Sequence, residues 1–84
     1  MQVTLYSTIT CPYCQMLKDY FKERGVSFVE KQLDADDAAK EEMARFSGGF
    51  LGVPFTLIML DGGKTETVVG FDKGKLDTIL NLQG

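Results

Sequence analysis

Cysteine is the residue type in this sequence whose placement most clearly suggests chemistry. Cys11 and Cys14 enclose Pro12 and Tyr13, just after a short apolar segment and at the start of a helical pattern. Two thiols at this spacing can close a disulfide and exchange it with another one. We therefore predict that Cys11, at the exposed tip, attacks a substrate disulfide and that Cys14 then resolves the mixed disulfide.

The start of the predicted helix should favour this reaction. Pro12 fits the first helical position, where its missing N–H has no partner to lose, so Cys11 falls at the N-cap. The free N–H groups of the first turn and the positive end of the helix dipole favour a thiolate over a thiol there. Cys14 lies over the same face, which puts the two Cα atoms roughly 5–6 Å apart, within disulfide range.

Two other interpretations of the cysteine pair stay open. A structural disulfide would close only a short loop and would constrain the unfolded chain little. A metal or iron–sulfur site would need ligands from a second chain or an added thiol, because two cysteines cannot complete a tetrahedral site. Disulfide exchange is the interpretation that needs no further ligand.

The overall composition excludes several other kinds of chemistry. The chain has 84 residues and no histidine, and its length fits one domain over residues 1–84. Without imidazole there is no Ser–His–Asp or Cys–His catalytic site and no zinc site with a histidine ligand. Nine Lys and Arg against twelve Asp and Glu give a formal charge of −3, which argues against a nucleic-acid partner.

The sequence also carries expectations about where the protein works. No apolar run approaches the roughly 18 residues of a membrane-spanning helix, so we expect no membrane association. The first residues, MQVTL, lack the positive start and long apolar stretch of a signal peptide. We therefore expect a cytoplasmic protein, in which a cysteine pair is more often catalytic or metal-binding than structural.

The hydrophobic pattern predicts the elements that position the cysteines. An apolar strand covers residues 2–7, with Ile9 just beyond it. A stripe at helical spacing follows Pro12, and Gly25 ends that helix. The stripe consists of Met16, Leu17, Tyr20 and Phe21, and the opposite face carries Lys18, Asp19, Lys22 and Glu23.

The second half of the pattern predicts two more helices and a hairpin. A second strand runs from Val26 to about residue 31, and a second helix covers residues 38–46. A turn at Asp61-Gly62-Gly63 joins strands over residues 55–60 and 65–69. Asp72 can cap a last helix, whose apolar stripe is Leu76, Ile79 and Leu80. The order β-α-β-α-β-β-α is that of an α/β domain.

The cysteine motif and its surroundings resemble a dithiol glutaredoxin. The resemblance rests on Thr10-Cys11-Pro12-Tyr13-Cys14 and on Val53-Pro54, and it extends over essentially the whole chain. It implies a thioredoxin fold, with a four-stranded mixed sheet of order 2-1-3-4 and helices on both faces. It also implies that Pro54 is cis and packs beside the cysteines, where Val53 would offer its backbone N–H and C=O to the substrate. The residues alone support only a turn, and a trans Pro at a strand start is the alternative.

The sequence departs from this family where glutathione would bind. Thr8 stands where glutathione-dependent members carry Lys, and Gly49, Phe50 and Leu51 replace a basic or amide residue. The loss of two charge-assisted hydrogen bonds could weaken glutathione binding about a hundredfold or more. Gly70 and Asp72 match the third part of the family's site, where a helix N-terminus offers N–H donors to a carboxylate.

At these positions the sequence is similar to NrdH-type redoxins. Those proteins resemble glutaredoxins in sequence, but they are reduced by thioredoxin reductase and supply electrons to ribonucleotide reductase. The similarity rests on Gly70-Phe71 and Gly49-Phe50. Phe50, Leu51, Phe71 and Tyr13 could form an apolar rim around Cys11 on which a protein partner docks. The alternative is that Phe50 and Phe71 are ordinary core residues.

The resulting prediction is a thiol–disulfide oxidoreductase that acts in redox homeostasis and electron transport. Its substrates are protein disulfides or glutathione mixed disulfides, and its reductant is glutathione or thioredoxin reductase. We expect a monomer with no metal and no bound cofactor, with glutathione as a co-substrate and ribonucleotide reductase as a candidate partner. The alternative is a homodimer that holds a [2Fe–2S] cluster between two Cys11 thiolates and two glutathiones. Beside the catalytic Cys11 and Cys14, the predicted substrate-binding residues are Pro12, Tyr13, Val53, Pro54, Gly70, Phe71 and Asp72.

Overall fold

The fold is described from a computed structural model, which covers residues 2–49 and 52–83. In chain order the elements are β1 (Gln2–Ser7), α1 (Pro12–Glu23), β2 (Val29–Gln32), α2 (Asp37–Ser47), β3 (Phe55–Met59), β4 (Thr65–Val69) and α3 (Lys73–Gln83). The strands form one sheet in the order β2-β1-β3-β4. β1 and β2 are parallel, whereas β3 is antiparallel to both β1 and β4. The predicted mixed sheet and its strand order are confirmed.

The helix ends follow from local capping chemistry. The carboxylate of Asp36 accepts a hydrogen bond from the backbone N–H of Ala39 at 3.2 Å and so caps the start of α2. Gly48 ends α2 with φ 71°, a left-handed conformation that glycine adopts without steric cost. Asp72 caps α3 in the same way as Asp36, through the backbone N–H of Lys75 at 3.1 Å. The predicted cap at Asp72 is therefore present.

Two apolar layers hold the helices to opposite faces of the sheet, as predicted. On one face, α1 and α3 pack against the strands through Val3, Leu5, Leu17, Tyr20, Phe21, Ile58, Val68, Leu76, Ile79 and Leu80. On the other face, α2 packs through Tyr6, Leu33, Ala39, Met43, Phe55 and Leu57. Alternation along β1 sends Leu5 to the first layer and Tyr6 to the second. Within the described ranges, no helix has the length and apolar character needed to cross a membrane.

Two details differ from the pattern-based expectation. β2 begins at Val29, three residues later than predicted, because the backbone N–H of Val26 bonds to the carbonyl of Phe21 at 2.9 Å and closes α1 instead. Met16 is exposed, since the buried face of α1 runs through Cys14, Leu17, Tyr20 and Phe21. β1 ends at Ser7, as predicted, and Ile9 beyond it is exposed.

Candidate active site

The register of the sheet gathers the predicted site segments at one end of the molecule. Tyr6 pairs with Phe55, and Phe55 pairs with Val69. Because these pairs are antiparallel, the end of β1, the start of β3 and the end of β4 lie at the same end of the sheet. The cysteine loop follows β1, Pro54 precedes β3, and residues 70–72 follow β4. The topology therefore brings the three segments together.

The first segment contains the cysteine pair at the start of α1. Cys11 is the N-cap residue in an extended conformation, with Pro12 in the first turn. The Sγ of Cys11 accepts a hydrogen bond from the backbone N–H of Cys14 at 3.1 Å. The two residues form a disulfide, with Cα atoms 5.2 Å apart. The predicted placement at the helix N-terminus is confirmed, and it aims an N–H donor at the sulfur that would carry negative charge.

The two cysteines differ in their access to solvent. Cys14 is buried, with 2% of its surface exposed, whereas Cys11 is half-buried. Next to them, Pro12 is exposed and Tyr13 is 60% exposed. A substrate disulfide can therefore approach Cys11 more easily than Cys14, and Tyr13 flanks the approach.

The second segment is the turn before β3. The peptide bond between Val53 and Pro54 is cis, so the predicted cis Pro54 is present. Pro54 is buried and Val53 is half-buried. The backbone N–H of Gly70 donates to the carbonyl oxygen of Pro54 at 2.8 Å. This bond fixes the proline turn against the third segment.

The third segment lies between β4 and α3. Gly70 has φ 74°, and Asp72 is exposed at the N-terminus of α3. Its carboxylate accepts from the N–H of Lys75 and its carbonyl from the N–H of Leu76. One of the otherwise free N–H groups at this helix start, that of Lys75, is therefore already satisfied by the Asp72 side chain.

Phe71 packs against the core, which is one of the two interpretations that the sequence left open. Its ring lies edge-on to that of Tyr20, with centroids 5.9 Å apart, and it packs against the core layer of α1 and α3. It is half-buried and borders a second groove with the exposed Met16. Phe50 and Leu51, the other predicted members of the rim, lie outside the described residues.

These features coincide with a match to the glutaredoxin family model over residues 3–61. The chain belongs to the glutaredoxin family. An uncharacterized glutaredoxin-like 8.6 kDa protein of a Clostridium pasteurianum rubredoxin operon is 36% identical over 78 residues, covering 93% of this chain and 96% of that protein. A crystal structure of a thioredoxin-like protein is similar with TM-score 0.78 and 27% identity, covering 93% of this chain and 99% of that one. A crystal structure of a buckwheat glutaredoxin–glutathione complex is similar with TM-score 0.65 and 27% identity. The match covers 94% of this chain and 76% of the buckwheat chain.

Family membership identifies the general chemistry as that of a thiol–disulfide oxidoreductase. It agrees with the geometry of the cysteine pair, since the fold is thioredoxin-like and the cysteines begin its first helix. The structure also shows a groove that the sequence analysis missed, on the β2 side of the cysteine pair. An open groove of about 560 Å³ borders both cysteines and extends between the start of α1 and β2. Polar residues that line it include Thr8, Thr10, Gln15, Lys18 and Gln32.

Lys18 lies in this groove and is held by an ionic contact. Its Nζ is 3.1 Å from the Oε2 of Glu30, and both side chains are largely covered, 22% and 26% exposed. The buried hydroxyl of Ser7 donates to the same Glu30 oxygen at 2.7 Å. Burial works to raise the pKa of Glu30, but the bonds from Ser7 and Lys18 and the charges of Lys18 and Lys22 together lower it. Glu30 is therefore a carboxylate at neutral pH.

A sequence signal for Lys18 existed. Lys18 follows Cys14 by four residues and Cys11 by seven, so all three share one side of the helix. The sequence analysis placed Lys18 with Asp19, Lys22 and Glu23 on the face of the helix opposite the apolar stripe. Glu30, which covers Lys18, lies on β2, and the spacing within α1 carries no information about it.

Proposed function

We propose that the protein reduces protein disulfides and glutathione mixed disulfides through Cys11 and Cys14. The Cys11 thiolate attacks one sulfur of the substrate disulfide, and the other sulfur leaves as a thiolate. Cys14 then gives its proton to solvent and attacks the Sγ of Cys11, which releases the second substrate sulfur. Two electrons pass to the substrate, and the protein is left with a Cys11–Cys14 disulfide that a reductant must open.

The observation that carries this proposal is the asymmetry of the pair at the helix start. Cys11 caps α1 and accepts an N–H, which favours its thiolate. Cys14 is buried one turn below, where it can reach the Sγ of Cys11 but is shielded from an incoming disulfide. A structural disulfide would not require one accessible, helix-capping sulfur and one protected sulfur.

The proposed substrate surface consists of the residues around this end of the sheet. Pro12 and Tyr13 border Cys11 on α1. Val53 and Pro54 form the turn that Gly70 holds by its 2.8 Å hydrogen bond. Phe71 and Asp72 complete the surface next to α3. An extended peptide or the glutathione backbone would lie along the Val53 backbone, with its sulfur at Cys11.

For the reductant, the features of the chain point in two directions. The related buckwheat glutaredoxin binds glutathione, and Gly70 and Asp72 retain one part of such a site. However, Thr8 replaces a lysine expected for glutathione, and the Asp72 side chain itself occupies the N–H of Lys75 at the start of α3. The exposed Met16 beside Phe71 and the exposed Tyr13 next to Cys11 suit a protein surface. We therefore favour thioredoxin reductase as the electron donor, with ribonucleotide reductase as one candidate acceptor in the cytoplasm.

Two coupled assays test this proposal. One supplies NADPH, glutathione reductase and glutathione, and the other supplies NADPH and thioredoxin reductase, each with the same low-molecular-weight disulfide. We expect NADPH consumption in the second assay to exceed that in the first at equal protein concentration. Faster turnover with glutathione would reverse the choice of reductant. No turnover above the Cys11→Ser control in either assay would overturn the proposed exchange.

The iron–sulfur alternative needs its own measurement. Among residues 2–49 and 52–83, no group of three or more His, Cys, Asp or Glu side chains could hold a metal ion. A cluster between two chains would instead use Cys11 of each chain and two glutathiones. Anaerobic reconstitution followed by an absorption spectrum tests this, since visible charge-transfer bands would establish a cluster and a colourless protein would exclude it.

A further inference from the structure

The groove on the β2 side of the cysteine pair contains a lysine that the exchange chemistry has not used. Lys18 and both cysteines line the same open space. Side chains on a helix lean towards its N-terminus, so the stem of Lys18 runs from the second turn towards the end that Cys11 caps. A positive charge in this position lies on the same side of α1 as the sulfur that ionises.

The charge of Lys18 is fixed in place by the sheet. Glu30 holds its Nζ at 3.1 Å, and Ser7, the last residue of β1, holds Glu30. Ser7 also accepts the backbone N–H of Leu33 at 2.8 Å through its carbonyl. The ammonium is therefore tied to the strand that leads directly into the cysteine loop, and it cannot be described as a freely solvated surface lysine.

Two further charged groups act on this region. Lys22, one turn along α1, adds a positive charge that Glu30 also experiences. The carboxylate of Asp34 accepts the backbone N–H of Ile9 at 3.2 Å and so brings a negative charge to the loop before Cys11. Besides the N-terminus of α1, the charged groups near the cysteines thus include two lysines and two carboxylates, and of the two lysines it is Lys18 that lines the groove with both cysteines.

We infer that Lys18 stabilises the Cys11 thiolate of the reduced protein across the groove they share, and that Glu30 limits this effect by neutralising part of the lysine charge. Lys18 thus supplies the cation that Thr8 does not. Glu30 both positions Lys18 and offsets part of its charge, and Ser7 is a positioning residue that acts through Glu30. The inference rests on the proposed exchange, in which the Cys11 thiolate is the nucleophile.

Opposite charge changes must then have opposite effects. Lys18→Gln removes the cation and leaves the Glu30 carboxylate unbalanced, so the pKa of Cys11 should rise. Glu30→Gln removes the anion and leaves the full charge of Lys18, so the pKa of Cys11 should fall. Because solvent in the open groove partly screens these charges, we expect each variant to shift the pKa of Cys11 by about 0.5–1 unit. A general loosening of the fold would not produce two shifts of opposite sign.

The test measures ionisation without any substrate. In the Cys14→Ser background, Cys11 is the one thiol of the sequence, and the pH dependence of its alkylation by iodoacetamide gives its pKa. With Lys18→Gln, the alkylation rate well below the pKa should fall about 3- to 10-fold, and with Glu30→Gln it should rise by a similar factor. Lys18→Arg keeps the charge and should stay within about twofold of the parent.

Lys40→Gln provides the matched control. Lys40 lies on α2, pairs with Asp37 at 4.0 Å and is more exposed than Lys18, and its loss changes the net charge by the same amount. Equal titrations for Lys18→Gln and Lys40→Gln would overturn the inference, as would shifts of the same sign for Lys18→Gln and Glu30→Gln. Because alkylation needs no reductase or disulfide substrate, these outcomes are distinct from a failure of the coupled assays.

Discussion

The backbone N–H of Gly70 donates to the carbonyl oxygen of Pro54 at 2.8 Å. This bond extends the β3–β4 ladder by one step beyond the Phe55–Val69 pair and joins the proline turn to the loop before α3. Two segments that the sequence suggested separately as substrate-binding are therefore one connected unit.

Replacing Gly70 by Ala tests whether this unit matters for exchange. Gly70 has φ 74°, and an added Cβ would meet no other atom within 4 Å, so the cost is backbone strain alone. We expect the free energy of unfolding to fall by about 1–2 kcal/mol. We also expect KM for the disulfide substrate to rise severalfold.

Gly48→Ala is the control for this change. Gly48 has φ 71°, equally open space and a place at the end of α2. Chemical denaturation should show a similar loss of stability for both variants, while steady-state kinetics should change only for Gly70→Ala. An equal KM for the two variants would contradict a role for residue 70 in substrate binding.

The cysteines should separate cleanly by role. Cys11→Ser should abolish all turnover, because the accessible nucleophile is lost. Cys14→Ser should keep only the glutathione-dependent reduction of mixed disulfides, since that reaction needs one thiol. Assays with a protein disulfide and with a glutathionylated peptide measure the difference. Substantial reduction of the protein disulfide by Cys14→Ser would reverse the assignment of roles.

Thr56 offers a stabilising substitution in the centre of the sheet. It is fully buried on β3, and its Oγ1 has no hydrogen-bond partner in the described part of the chain. Thr56→Val replaces an unsatisfied hydroxyl by a methyl group of the same shape, so we expect a gain of about 1 kcal/mol. Chemical denaturation measures this, with the half-buried Thr4→Val on β1 as the control. A loss of stability in Thr56→Val would show that the hydroxyl is satisfied in solution.

The contact between α2 and the sheet should make stability depend on acid pH. Lys31 donates to both oxygens of Glu42 at 2.8 and 2.9 Å, and the buried Tyr6 hydroxyl also donates to Glu42. These bonds, first that of Lys31, lower the pKa of Glu42 below its ordinary 4.5. A lowered pKa in the folded state means that this stabilisation is complete above about pH 4.5 and is lost as pH falls through the folded-state value.

Glu42→Gln tests this dependence. The variant should be less stable than the parent at pH 7, by less than about 1 kcal/mol because the pair is partly solvated, and the gap should close towards pH 3. Glu41→Gln, an exposed neighbour on the same helix, is the matched control. A constant gap between Glu42→Gln and the parent from pH 7 to pH 3 would contradict the assignment.

The fold was largely predictable because the residues that begin and end its helices and strands act locally. Pro12 starts a helix, Gly25 and Gly48 end helices, and the Asp61-Gly62-Gly63 turn joins two strands, each through its own backbone chemistry. The cysteine motif was predictable for the same reason. The start of β2 was predicted wrongly, because the N–H of Val26 closes α1 and apolar composition alone does not show which partner an N–H takes.

The charged part of the site could not be derived from periodicity. A helical pattern identifies the apolar stripe of α1 and assigns the remaining positions to solvent. Whether Lys18 is solvated depends on Glu30, twelve positions away on a parallel edge strand. The hydrogen bond between Gly70 and Pro54 is likewise set by the strand register and has no signature in either segment.

The Sγ of Cys11 makes two interactions: it accepts the hydrogen bond that caps α1, and it is bonded to Cys14 in the disulfide. When the disulfide opens, the same atom remains available to accept the Cys14 N–H, and more strongly as a thiolate. The first helix therefore keeps its starting point in both oxidation states. This cap therefore need not be rebuilt at each turnover.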